Sequence, residues 1–320
     1  MNEEVTLVTA FFDIGRGDFN IVRCEPRSAQ KYIDYFDFWA RIQNKLIVYT
    51  SPEYAQQIRD VRKKYGRENK TEIIEIEDIF SVEHDIYLRM KAVEANEDFK
   101  NIRFWNKEVS NRADYNYIVL MKYWCMQNAV TRGLCSKSVF WIDFGYNHGG
   151  ACYTKPEEFD FCITGATNNK IQLYALPQKE PKKVSGIQSL QFQFDTIASG
   201  IVVSPSSLCS KLWEMTKSAM LSLLSLDCID DDQQLLLMAY KLHSECFEIH
   251  NSDWFMPLKE YWGGSHLTVK QKENVTVKKS VIRRILGKIK RTIIRKKSPN
   301  QIQRENFICR MKNIAEEIYK

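Results

Sequence analysis

Ser138-Val139-Phe140-Trp141-Ile142-Asp143-Phe144-Gly145-Tyr146-Asn147 is an apolar run that ends in one carboxylate and a glycine. The run reads as a buried strand. Its end is where an open α/β sheet places ligand chemistry, outside the carboxyl ends of the strands. A metal-bound nucleotide needs a fixed carboxylate at such an edge, and Asp143 supplies one. Asp before a loop glycine also commonly caps a turn, so that second reading stays open.

Working outward, Val5 to Phe12 is a second apolar run, ending in the loop Asp13-Ile14-Gly15-Arg16-Gly17-Asp18. Ala29 to Ile42 has helical spacing, Lys45 to Thr50 reads as a strand, and Ser51-Pro52 opens a helix to about Lys64. Glu72 to Ile76 is a third early strand. This β-α-β-α-β rhythm predicts an α/β fold, a mostly parallel sheet wrapped by helices. Asp78 to Asn111 is polar with helical pieces, and Ala113 to Thr131 is a long helix. Asp160 to Thr164 reads as a short strand. Residues 165 to 194, rich in Gly, Asn, Gln, Lys and Pro, read as a loop excursion. Ile197 to Val203 is a strand, Ser204 to Ser207 starts a helix to about Leu224, and Asp230 to Gln234 opens another. Cys246 to Ile249 is a late strand, and no internal repeat is visible.

The 320 residues carry nine cysteines, an odd number without a Cys-x-x-Cys pair, which predicts reduced core thiols in a cytoplasmic protein. No apolar run is long enough to span a bilayer, and the acidic start Met1-Asn2-Glu3-Glu4 is unlike a signal peptide. The net charge of +6 is uneven. Ten Lys and Arg residues and no acid lie between Lys278 and Lys297, leaving the remainder mildly acidic. Residues 1–272 are therefore expected to form the main domain and 273–320 a basic helical tail. Val281, Ile285, Ile289 and Ile293 recur every four residues among those cations. Such a helix suits an anionic membrane surface at the inner face of the membrane. Docking on the protein's own core or on a partner is the alternative. Nucleic acid is disfavoured because the segment has no aromatic residue for base stacking.

Four loops carry the candidate chemistry: Thr9 to Asp18, Asp143 to His148, Ser199 to Ser207 and Asp230 to Gln234, with His250 after a fifth apolar segment. Carboxylates, imidazole and arginine together suit a nucleoside diphosphate held through Mn²⁺ or Mg²⁺. The bland readings are a helix cap for the acidic triplet, a hydrogen-bonded structural role for His250, and a solvated Lys122. Asp143-Phe144-Gly145 spells the kinase metal motif, but the other kinase signatures are missing. No Gly-x-Gly-x-x-Gly, Walker or Gly-x-Ser-x-Gly sequence is present.

Three blocks, Val8 to Arg16, Asn111 to Asn116 with Lys122 on the same helix, and Phe140 to Gly145, resemble the HtrL/YibB family of bacterial surface-polysaccharide proteins. That family is similar to GT-A-type nucleotide-sugar glycosyltransferases. The resemblance covers most of residues 5–265. It implies transfer of a sugar from a nucleotide-sugar donor to a glycan or lipid-linked glycan acceptor in lipopolysaccharide biosynthesis. It puts Phe140 to Gly145 in the place of the Asp-x-Asp segment that binds metal and sugar nucleotide. Thr9, Ala10, Phe11 and Arg16 would lie under the nucleoside and diphosphate, with Arg112 and Lys122 also binding substrate. Ser199 and Gly200 would face donor sugar and acceptor. Asp230 to Gln233 would match an acidic element that supplies a general base, from Asp231 or Asp232. The second acid of Asp-x-Asp is Gly145 here, so a metal would need a distant ligand such as His250 or His266. A catalytically silent scaffold of a polysaccharide assembly is the competing reading. An inverting or a retaining outcome stays open.

Overall fold

Two strands open the chain, β1 (Glu3–Glu4) and β2 (Thr6–Phe11), and β2 becomes the middle of the main sheet. The computed structural model describes residues 3–19, 26–103, 108–177 and 180–271. The expected basic tail therefore lies outside the described residues. After β2 come α1 (Ala29–Trp39), β3 (Leu46–Thr50), α2 (Pro52–Lys64) and β4 (Thr71–Glu75). Ser28 caps α1 by accepting from the Lys31 N–H, and Pro52 starts α2 where no backbone donor is needed.

The chain continues through α3 (His84–Ala95), α4 (Glu97–Asn101), α5 (Ala113–Thr131) and β5 (Ser138–Ile142). Next come β6 (Thr164–Gly165), β7 (Ile171–Ala175), α6 (Gly186–Phe192), β8 (Ile201–Pro205) and α7 (Cys209–Leu224). The described part closes with α8 (Asp232–Leu242), β9 (Phe247–Asn251) and α9 (Pro257–Tyr261). β6 pairs with β1 as a small antiparallel ladder.

The seven-stranded sheet has the order β4-β3-β2-β5-β8-β7-β9. β4, β3, β2 and β5 are parallel, β8 is antiparallel to both its neighbours, and β9 is parallel to β7. The expected mostly parallel sheet is present. Alternate residues of each strand enter separate cores. Val8, Ile47, Tyr49, Val139, Trp141 and Val202 pack under α3, α5, α7 and α8. Leu7, Leu46, Val48, Phe140, Ile142 and Val203 pack under α1 and its neighbours. Both faces are covered, which is why these strands read as unbroken apolar runs.

One expectation is corrected. Residues 165 to 194 are not a plain loop, because they contain β7 and α6. Asn168 and Asn169 take left-handed φ values of 48° and 59°, making a tight turn that feeds β7. Every residue of β7 is buried. The polar Gln172 is tolerated there because its amide donates to the Thr167 and Lys170 carbonyls and to Glu248. The expected strand at Asp160 to Thr164 shrinks to β6. All seven described cysteines are free, and no described helix is long and apolar enough to cross a membrane.

Candidate functional site

The sheet order reverses between β2 and β5: the chain moves outward from β2 to β3 and β4, then returns to place β5 on the other side of β2. Loops leaving the carboxyl ends of those two strands diverge and leave a crevice. A cavity of about 500 Å³ lies there. Its floor comes from Ala10 to Ile14, Trp141 and Asp143 to Tyr146, and its sides from α5, the start of α8 and the Ser199-Gly200 segment.

Asp143 has the same strand parity as Trp141, so its side chain turns toward the α5 face of the sheet. On α5, Tyr115, Ile118, Val119 and Lys122 line the cavity, spaced as one helical stripe. The Lys122 ammonium Nζ is 2.7 Å from Asp143 Oδ1 and 2.6 Å from Asp232 Oδ2. Trp141 Nε1 donates to Asp143 Oδ1 at 2.8 Å, and the Asp143 N–H donates to the Gly200 carbonyl at 2.9 Å. The Asp143 side chain is thus not a turn cap. It keeps 37% of its surface exposed, whereas Lys122 keeps 9% and Asp232 3%.

Burial alone would lower the Lys122 ammonium, but the Asp143 and Asp232 carboxylates overcome this and hold it above its ordinary range. Burial also pushes the Asp232 carboxyl up to about 6, with Lys122 pulling the other way and Asp231 and Asp143 adding to the rise. An ion pair would ordinarily draw the two groups in opposite directions. At neutral pH both shifts nevertheless describe one state: Lys122 protonated and Asp232 ionised.

The loop after β2 turns at Gly15, whose φ of +70° strains any side chain, and the Gly15 N–H is held by Asp13 Oδ1 at 2.9 Å. This turn sends Arg16 back over the cavity, where its Nη1 donates to Tyr32 Oη at 2.6 Å and its guanidinium lies 5.3 Å from the Tyr115 ring. Arg27 enters from the other side, with Nη1 3.4 Å from His148 Nε2. Its Nε is buried without a partner, and the guanidinium has no ion pair among the described residues.

The loop after β5 is anchored by Phe144, stacked between Phe11 at 4.9 Å and Phe36 at 4.5 Å. Four successive residues, Asn147 to Gly150, have positive φ. The fully buried Asn147 side chain holds this bend by accepting from the Cys152 and Tyr153 N–H groups and donating to the Tyr153 carbonyl. The bend carries His148 to the rim. A left-handed non-glycine residue held this way is a mark of functional loops.

Most expected residues meet here: Ala10, Phe11, Arg16, Lys122, Asp143, Gly145, Ser199, Gly200 and Asp232 all line the cavity. Four do not. Thr9 is fully buried within β2, and Arg112 lies 3.9 Å from the Phe19 ring. Asp231 caps α8 by accepting from the Gln233 N–H at 3.2 Å and also accepts from Ser110 Oγ at 3.1 Å. His250 contacts Gln172 and stacks on Tyr174, three strand positions from β5. His266 faces the Glu158 carbonyl at 2.9 Å. Asp13, His148 and Gln233, from the candidate loops, also line the cavity, as does Tyr115 from the Asn111 to Asn116 block. Sequence reasoning missed Arg27, Tyr32, Trp254 and Phe255, which line it too.

A divalent cation does not fit these residues. The space between Asp143 and Asp232 is filled by the Lys122 ammonium. Among the described residues no group of three His, Cys, Asp or Glu side chains could hold a metal ion.

The chain is an open α/β sheet with a cavity at the carboxyl edge of its parallel strands. The chain belongs to the HtrL_YibB family, described as a bacterial protein of unknown function, whose model matches residues 3–261. It is 25% identical to Protein HtrL of Escherichia coli (strain K12) over 279 residues, 80% of this chain and 91% of that protein. Among solved structures, mouse xyloside xylosyltransferase 1 in its apo form is similar with a TM-score of 0.37 and 15% identity. That match covers 76% of this chain and 84% of the mouse chain.

Proposed function

We propose that this protein transfers a sugar from a nucleotide-sugar donor to a glycan or lipid-linked glycan acceptor. The observation that carries the reading is the joining of Asp143 and Asp232 through Lys122 beside two arginines, in one cavity at the carboxyl edge of the sheet. Departure of a nucleoside diphosphate develops negative charge, which Arg16 and Arg27 are placed to meet. Half-exposed Asp143 suits the hydroxyls of a ribose or sugar. Asp232, raised toward neutrality, suits removal of the acceptor's proton as its oxygen attacks the anomeric carbon. Aromatic rings from Phe11, Tyr32, Tyr115 and Trp254 offer faces for a base and for sugars.

Bacterial surface-polysaccharide assembly is the setting this reading favours, with a cytoplasmic enzyme drawn to the inner membrane face by the cations of residues 278–297. The test is a panel of nucleotide sugars scored for thermal stabilisation, then for sugar released to water or to a glycan. Stabilisation with release supports the transferase. Stabilisation without any release supports a silent scaffold, and no stabilisation by any donor overturns both.

A further inference from the structure

Resting on the nucleotide-sugar reading, we infer that the cation of this site is built into the chain. The Lys122 ammonium stands where a divalent metal would bridge Asp143 and Asp232, and Arg16 with Arg27 takes the diphosphate, so donor binding needs no metal.

Three independent observations carry this. First, the ammonium sits 2.7 Å and 2.6 Å from one oxygen of each carboxylate, closer than most N–H···O pairs and too close for a second cation between them. It arrives from the middle of α5, a helix with buried residues along its whole length, and its side chain keeps only 9% of its surface exposed. Second, the position that would complete a metal-binding acid pair is crowded. A Cβ on Gly145 would lie 3.1 Å from the Tyr32 ring, so a side chain there requires the ring to give way by a few tenths of an ångström. That ring is itself fixed by the Arg16 bond to its hydroxyl. Third, the cavity holds a guanidinium in search of an anion. Arg27 faces His148, has a buried Nε with no acceptor, and lines the same cavity as Arg16 from the opposite side. Guanidinium pairs match phosphate oxygens in a fixed fork, which a metal-free diphosphate site requires.

Lys122 in this arrangement is a positioning residue. It neutralises half of the charge of two carboxylates that would otherwise repel a diphosphate, and it holds both by short ion pairs. Its +1 charge offsets less than a divalent ion would, which is why two arginines are needed nearby.

The test uses full-length protein and two probes, Mn²⁺ and nucleoside diphosphates. Free Mn²⁺ is followed by its electron paramagnetic resonance signal, and binding of UDP, GDP and ADP by calorimetry, with EDTA or with Mn²⁺. Wild type should leave Mn²⁺ free, and the preferred diphosphate should bind in EDTA within about twofold of its affinity in Mn²⁺. Arg27→Gln should weaken that binding by about tenfold or more. Lys122→Ala should gain one Mn²⁺ site that Asp143→Asn then removes. If Lys122→Ala fails to fold, the wild-type titration decides alone. Stoichiometric Mn²⁺ uptake by wild type that Asp143→Asn abolishes overturns the inference, as does diphosphate binding that disappears in EDTA. Should no diphosphate bind under any condition, the transferase reading fails. The Mn²⁺ titration then still distinguishes ammonium from metal.

Discussion

A Cβ at position 145 would stand 3.1 Å from the ring of Tyr32, so any side chain at 145 needs that ring to shift by a few tenths of an ångström. Gly145→Ala should cost on the order of 1–3 kcal/mol, typical of overpacking. Tyr32→Ala in the same chain should return part of that loss, and a double-mutant cycle of urea midpoints measures the coupling. Gly145→Asp should displace Tyr32, free Arg16 and weaken nucleotide binding. Independent, additive effects of the two substitutions would contradict the contact.

Neighbouring acids at the start of α8 should separate in their effects. Asp231→Ala removes a helix cap and should lower stability by about 1 kcal/mol, leaving donor binding unchanged. Asp232→Asn should keep donor binding and lose transfer by about 100-fold or more, the scale of a missing general base. Asp143→Asn should lose most turnover with the fold intact. Circular dichroism, calorimetry and a sugar-transfer assay on the three variants check this. Full transfer activity in Asp232→Asn would remove the base from this residue.

Burial raises Asp232 from 3.8 to about 6, so across that interval the native protein retains a proton the unfolded chain has released. This group's contribution to stability is therefore most favourable below about pH 4 and declines as pH rises through about 6. Wild type should lose stability relative to Asp232→Asn over that window, read from urea midpoints. Transfer should follow the opposite course, falling as pH drops below about 6, because the base must be ionised. A flat stability difference would deny the burial effect, whatever the rate profile.

Full-length protein should sediment with vesicles of anionic lipid, less so as salt rises, and a chain ending at Val277 should not. Each basic residue near such a surface contributes about 1 kcal/mol before screening, so ten in one segment are sufficient. Transfer to a soluble acceptor should survive the truncation. Equal binding by both chains would place the attraction elsewhere.

The sheet was legible from sequence where a fully buried strand is also free of long polar side chains, as in β3 and β5. β7 was hidden for the converse reason: Gln172 breaks its apolar run and two asparagines precede it. Its justification is long-range, since Gln172 is satisfied by Glu248 of β9. The site divided likewise. Asp143 was visible from a strand end, and Lys122 only through the family resemblance. Arg27 and Trp254 come from loops whose approach is set by packing, not local pattern. The pairing of His250 with Asp143 failed because adjacency in composition says nothing of strand order, and β9 lies beyond β8 and β7.

The reversed direction of β8 brings the beginning of that strand, rather than its end, beside Asp143. The cavity consequently has two walls drawn from separate portions of the chain. One is built from residues 10–148, around Arg16 and Asp143, and the other from residues 199–255, around Ser199 and Trp254. Drift or recombination in the later portion can remodel its wall while the earlier one stays intact.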